Sequence, residues 1–224
     1  MTGAPNYARE YFERGKGLDD AKYMRDSTLI LELLNPQPNE KILDIGCGLG
    51  RLSYRIAQFK AEVTGIDISE YAISQARHKY GSVQNLKFIQ RNALETSYEN
   101  CFDKVLCYHL LEHLKLAEVR ILLGKICSAL RREGLFVLGI PINDFKPYRQ
   151  AIRLLATGRR WRDLTHQTSF SVAEIERELT SAGFELLETV PLSYFGIRLP
   201  HRLLSTPLLA QVITACADIC AIRK

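Results

Sequence analysis

The chain lacks the features that would tie it to an oxidising compartment, a membrane span or nucleic acid. None of its six cysteines (Cys47, Cys101, Cys107, Cys127, Cys216, Cys220) forms a Cys-x-x-Cys pair, and several sit in apolar strand-like runs where cysteine behaves as a small hydrophobe. A reduced, cytoplasmic compartment is therefore expected. Met1-Thr2-Gly3-Ala4-Pro5-Asn6 has no basic start followed by an apolar stretch, so no export signal is expected. Leu203 to Ala217 carries no charge, but it contains Thr206, Pro207, Gln211 and Thr214 and is shorter than a membrane span, so a buried helix is expected there. The net charge of +5, from 30 basic and 25 acidic residues, is too mild to imply nucleic acid without a local patch. No internal repeat, low-complexity segment or interdomain linker is visible, and 224 residues with 46% hydrophobic content suit one α/β domain spanning 1–224.

Against these absences stands one dense motif, Lys41-Ile42-Leu43-Asp44-Ile45-Gly46-Cys47-Gly48-Leu49-Gly50. An apolar β-branched run ends abruptly in alternating glycines, which reads as a buried strand entering a tight turn. Glycine is needed where the backbone takes φ > 0 and where it must lie against a ligand that a Cβ would displace. Leu52 and Ile56, with Phe59, follow at helical spacing, so the unit is strand, glycine loop and helix N-terminus. A nicotinamide fingerprint would place its third glycine at position 51, which is Arg, and a phosphate loop would need Gly-Lys-Ser/Thr.

What remains, Asp-x-Gly-x-Gly-x-Gly in the wording Leu43-Asp44-Ile45-Gly46-Cys47-Gly48, resembles the first motif of class I S-adenosylmethionine-dependent methyltransferases. The resemblance implies that Gly46, Cys47, Gly48 and Gly50 pass against the methionine part of S-adenosyl-L-methionine, with Asp44 acting through the local hydrogen-bond network. It also implies a seven-stranded, doubly wound, mostly parallel Rossmann-like sheet whose last strand is antiparallel.

The rest of the chain can be read beside that expectation. Asp20 to Leu34 has Met24, Leu29, Ile30, Leu33 and Leu34 at approximate helical spacing, and residues 1–35 are expected to form an N-terminal helical cap over the mouth, with Tyr7, Tyr11 and Arg25 as candidate contacts. Glu62 to Asp67 reads as a second strand and Ser69 as the N-cap of a helix over Tyr71 to Tyr80. Asp67 then stands at a strand's carboxyl end, about twenty residues past the glycines, where a carboxylate can accept from both ribose hydroxyls of an adenosine. That geometry serves nicotinamide and adenosylmethionine proteins alike. Leu86 to Gln90 is a third strand, and the following Asn92-Ala93 matches the Asp-Ala or Asn-Ala of the family, which places the polar side chain at the adenine edge. The resemblance adds Ile68 and Tyr108 to the cofactor site. Strands over Phe102 to Tyr108, Glu133 to Pro141, Phe184 to Val190 and Ala217 to Arg223, with helices over Leu116 to Leu130 and from the capping box Ser171-x-x-Glu174 to Ala182, complete the pattern.

His109-Leu110-Leu111-Glu112-His113 matches the His-x-x-Glu-His of inverted zinc peptidases, but that motif needs an uninterrupted helix and here it begins at a strand end. The family shows a hydrophobic-Glu-His pair at this place. Some quinone-precursor relatives have acidic-x-x-Glu-His holding a divalent cation; His109 replaces the acidic residue, and no metal is expected. The Asn/Asp-Pro-Pro-aromatic of amine-methylating relatives and the Pro-Cys nucleophile of cytosine enzymes are both absent, so nucleic acid is not the expected partner. A hydroxyl acceptor needs a general base, most often histidine near neutral pH, and the candidates are His166, His109 and His113. His166 lies in Asp163-Leu164-Thr165-His166-Gln167-Thr168-Ser169-Phe170, which resembles the Asp-x-Thr-His-x-x-x-Phe stretch of small-molecule and glycan methyltransferases.

Residues 141–170 are expected to form a lid over the acceptor. Within them 147–162 is a basic amphipathic piece with Trp161, which could instead lie in a membrane interface. The expected function is transfer of the cofactor's methyl to a hydroxyl of a small molecule, lipid precursor or glycan. Its rival is a non-catalytic adenosyl-binding partner subunit of the same fold. The sequence leaves the acceptor and the oligomeric state open.

Overall fold

A computed structural model describes residues 9–13, 20–142, 166–193 and 214–224. A short helix α1 (Arg9–Glu13) and α2 (Asp20–Leu34) precede the alternation β1 (Lys41–Ile45), α3 (Arg51–Ala57), β2 (Glu62–Asp67), α4 (Glu70–Tyr80) and β3 (Leu86–Gln90). Then come β4 (Phe102–Tyr108), α5 (Leu116–Ala129), β5 (Leu130–Pro141), α6 (Val172–Ser181), β6 (Phe184–Ser193) and β7 (Thr214–Arg223). The strands form one seven-stranded sheet in the order β3-β2-β1-β4-β5-β7-β6. The first five are parallel, and β7 lies antiparallel between β5 and β6.

Both faces of the sheet are covered, which is why its central strands read as near-continuous apolar runs. Leu43, Val105, Cys107, Phe136 and Leu138 pack with α5 and α6 on one side. Ile42, Leu106 and Val137 pack with Ile30 and Leu34 of α2, Leu52 and Ile56 of α3, and Ile73 of α4 on the other. Full burial of each such side chain contributes roughly 1.5–3 kcal/mol. Helix starts are set locally. The Ser69 hydroxyl accepts from the Ala72 amide, and Ser171 and Glu174 form the reciprocal capping box. Gly183, at φ 96°, follows the Ala182 C-cap of α6 in the left-handed conformation that ends helices.

Several boundaries depart from the sequence reading. Helix α3 stops at Ala57, and Phe59 is 46% exposed rather than on its buried face, because the chain turns at Lys60 with φ 63°. The helix expected over Leu203 to Ala217 gives way at Thr214 to β7, whose backbone pairs with both neighbours. Strand β5 starts at Leu130, and the α1 helix lies in a stretch that showed no periodicity. Among the described residues no helix is long and apolar enough to cross a membrane. Residues 143–165, most of the expected lid and all of the 147–162 piece, lie outside the described residues. So do Tyr7 and the side chain of Arg25.

The chain leaves β1 toward β2 and β3 on one side and returns to β4 and β5 on the other, so the topological switch falls between β1 and β4. Open α/β sheets bind ligands in the crevice at the strands' carboxyl ends there. The glycine loop leaves the end of β1 and the histidine turn leaves the end of β4.

Candidate active site

The glycine loop is built as its residues require. Gly46, Gly48 and Gly50 have φ of 76°, 51° and 75°. The amides of Gly46 and Cys47 both donate to the Ile66 carbonyl, at 2.8 and 3.0 Å, binding the loop to the end of β2. The glycines then differ in purpose. Among the described residues a Cβ at Gly48 would meet Phe12 of α1 alone, at 3.5 Å, whereas a Cβ at Gly50 would lie 2.5 Å from Phe88 and 2.9 Å from Ala76. Gly50, expected to face the cofactor, is thus needed for the approach of α3 to β3 and α4 in the core.

Asp67 joins the loop to β2. Its Oδ2 accepts from the Gly48 amide at 2.9 Å and its Oδ1 from the Ser69 amide at 2.8 Å. Burial pushes its carboxyl up, against the pull of these backbone bonds. Each carboxylate oxygen keeps further acceptor capacity. Asp44 is 2% exposed and accepts from the Ser53 hydroxyl; burial, resisted by that bond and helped by the Asp67 charge, pushes its carboxyl up to about 6.

Two cavities flank this pair. One of about 440 Å³ is lined by Ile68, Gln90, Arg91, Asn92 and Glu95, and one of about 190 Å³ has Asp44, Gly46, Cys47, Leu49, Arg51 and Tyr108 in its wall. Of the residues expected at the cofactor, Ile68 and Asn92 line the first cavity and Asp44, Gly46, Cys47 and Tyr108 the second. Asn92 is also occupied locally, since its Oδ1 accepts from the Leu94 amide at 3.1 Å and its Nδ2 donates to Glu95 at 3.0 Å. Ala93, the next residue, is half-buried and packs against the core. Gln90, Arg91, Glu95 and Arg51 were missed. Arg51, directly after the third glycine, had a positional signal; the others depend on how the turn after β3 closes.

The acceptor side is assembled from distant segments. After β4, His109 takes φ 54°, and a 3-10 turn over Leu111–His113 follows, so the two histidines do not share an uninterrupted helix. The Gln167 and Thr168 amides donate to the Glu112 carbonyl at 2.8 and 3.2 Å, the Gln167 side chain donates to the His113 carbonyl at 2.9 Å, and the Thr168 hydroxyl donates to the Leu114 carbonyl. Phe170, 3% exposed, bridges to Ile142 and roots the segment in the core. This docking brings the His166 ring to 4.9 Å from that of His113, at 81°. Tyr11 of α1 meets His113 edge-on at 6.2 Å, and Phe12 lies 6.1 Å from Tyr71. His109 has its Nδ1 3.0 Å from Oε1 of the buried Glu112 and its ring against Tyr108 at 4.3 Å. A carboxylate oxygen of Glu112 and one ring nitrogen each of His113 and His166 lie within 4.8 Å of one another, a set that could also hold a metal ion.

The comparisons with known proteins bear on the family and the fold. A family profile described as a methyltransferase domain matches residues 36–183. The ubiquinone biosynthesis O-methyltransferase of Azoarcus sp. (strain BH72) is 32% identical over 168 residues, covering 69% of this chain and 68% of that protein. Two solved structures share the fold at lower identity. The 1,6-didemethyltoxoflavin-N1-methyltransferase of Burkholderia thailandensis, with bound 1,6-didemethyltoxoflavin and S-adenosylhomocysteine, is 19% identical with a TM-score of 0.67, over 96% of this chain and 83% of that one. The magnesium protoporphyrin IX methyltransferase of Synechocystis PCC 6803, with bound S-adenosylhomocysteine, is 20% identical with a TM-score of 0.66, over 100% and 90%. A profile match across most of the domain, with a relative at that identity and the same fold beneath it, makes the chain a member of the class I S-adenosylmethionine-dependent methyltransferases, an enzyme whose cofactor is S-adenosyl-L-methionine.

Proposed function

We propose that the enzyme methylates a hydroxyl of a small molecule, with the His113–His166 pair as the proton-accepting wall of the acceptor site. The observation that carries this reading is the docking of residues 166–168 onto the turn after β4, which places two imidazoles together at the carboxyl ends of the strands. When bound, S-adenosyl-L-methionine supplies an electrophilic methyl on its sulfonium. The chain's own task is alignment at near-attack distance and removal of the acceptor proton. The name of the Azoarcus relative, an O-methyltransferase of ubiquinone biosynthesis, supports a hydroxyl acceptor of that kind. The test is incubation with methyl-labelled cofactor and a panel of catechols, phenols and amines, with product analysis by mass spectrometry. Methyl ethers are expected; methylation at nitrogen or carbon alone would overturn the reading.

For the cofactor, the proposal is that Asp67 receives the ribose hydroxyls, that Ile68 and Asn92 border the adenine in the 440 Å³ cavity, and that Asp44, Gly46, Cys47 and Tyr108 border the methionine part. Asp67→Ala is expected to weaken binding by about 1.5–3 kcal/mol, because charge-assisted hydrogen bonds are lost. Calorimetry with S-adenosyl-L-methionine measures it, and unchanged affinity in a folded variant would remove Asp67 from the site.

Chelation separates this chemistry from that of the cation-using relatives. Where they carry the first acidic residue, this chain has His109, already bonded to Glu112, so the acidic-x-x-Glu-His pattern is not met. No step is routed through a metal. Activity is expected to survive EDTA; loss that magnesium or zinc restores would make ligands of Glu112 and His113.

A further inference from the structure

Glu112 touches neither of the two cavities, yet its side chain is 2% exposed and charged. Its Oε1 is engaged by His109, and its Oε2 is buried with no hydrogen-bond partner among the described residues. Leaving a carboxylate oxygen in that state is costly, and a fold that keeps it there uses the charge elsewhere. The groups facing it are His109, the ring nitrogens of His113 and His166, and on β4 the Cys107 thiol. Burial and the Glu112 and Asp44 charges push that thiol well up, so it stays protonated and contributes no charge. Tyr11 approaches from α1 on the far edge of His113.

We propose that Glu112 is the positioning residue of the base: anchored by His109 through Oε1, its carboxylate provides the fixed negative charge against which the His166 imidazole takes up the acceptor proton. This rests on the reading of His166 as the base. The proton would leave the acceptor hydroxyl for the His166 ring as the oxygen bonds to the methyl carbon and the sulfonium's carbon–sulfur bond breaks, its electron pair going to sulfur to leave the neutral thioether; the proton then departs to solvent, and Glu112 stays ionised throughout. Its carboxyl is suited to that. Burial pushes it up, but the His109 hydrogen bond and the His109 and His113 charges outweigh burial and hold it below the usual range. The same residue also gives its backbone carbonyl to Gln167 and Thr168, so one residue sets both the place and the charge environment of His166.

The test needs no acceptor. The full chain, with its five histidines labelled in the ring nitrogens and saturated with S-adenosylhomocysteine, is titrated by NMR, with signals assigned by single replacements. Glu112→Gln keeps the shape and removes the charge. It is expected to lower the proton-binding constant of His166 about tenfold, the effect of losing an opposite charge at this range. His109→Gln leaves the charge and releases it from its anchor, so the constant is expected to rise. Should Glu112→Gln fail to fold, His109→Gln carries the test. An unchanged His166 titration in a folded variant overturns the proposal. So does Mn²⁺ that broadens the His113 and His166 signals of the wild type but not of Glu112→Gln, since Glu112 would then be a cation ligand. The outcome is separate from turnover of His166→Ala, which tests the base itself.

Discussion

His166→Ala lowers turnover on the acceptor by about a hundredfold or more and leaves cofactor affinity nearly unchanged, since general-base assistance is worth roughly 10²–10⁴. The separation follows from where the side chain stands. The two cavities proposed for the cofactor are lined from β1, β3, the loops after β1, β2 and β3 and the start of α3, with Tyr108 added from β4, whereas His166 sits on the return segment against His113. The bonds that dock this segment on the turn after β4 include those of Gln167 and Thr168, which the substitution leaves in place. The loss should therefore fall on the chemical step. Single-turnover pH–rate profiles of the wild type and of the His166, His113 and His109 alanine variants measure it. Full rate with the same acidic limb in His166→Ala would reduce His166 to a loop residue and move the base to another histidine.

Gly48→Val is the second large effect: cofactor binding should fall by about a hundredfold or more, while the sheet remains formed. At φ 51° the position is left-handed, which costs an L residue roughly 1–2 kcal/mol and a β-branched one more. The strain bears on the segment whose amide donates to Asp67, and the added methyls enter the gap between the loop and Phe12. Among the described residues an added Cβ there meets Phe12 and no residue of the hydrophobic core, so circular dichroism should stay near wild type while calorimetry shows binding lost. Gly50 would make a misleading substitute, because a Cβ only 2.5 Å from Phe88 attacks the fold itself. A folded Gly48→Val protein with unchanged affinity would mean that the loop is only a turn.

The parts of this protein legible in its residues are those governed by near neighbours. Alternating glycines after an apolar run demand positive φ, Ser69 and the Ser171–Glu174 box cap the helices that follow them, and an acid at the end of β2 can reach the loop after β1 because adjacent parallel strands end together. Those facts, with the family resemblance of the glycine motif, carried the fold class and the cofactor. Tertiary structure decided the remainder. Phe59, at helical spacing, stays exposed because the chain turns before it can pack, and Gly50 is required by the core because Phe88 crosses above it. The Leu203 to Ala217 run becomes strand at Thr214 because two neighbouring strands offer it backbone partners, which composition cannot reveal. Three histidines were visible as candidates, with His166 foremost. His109 meets Glu112 within its own turn, whereas His166 joins His113 through hydrogen bonds such as that from Gln167 to the His113 carbonyl, 54 residues away, and a contact made at that distance leaves no periodicity, cap or turn signal in the chain that makes it.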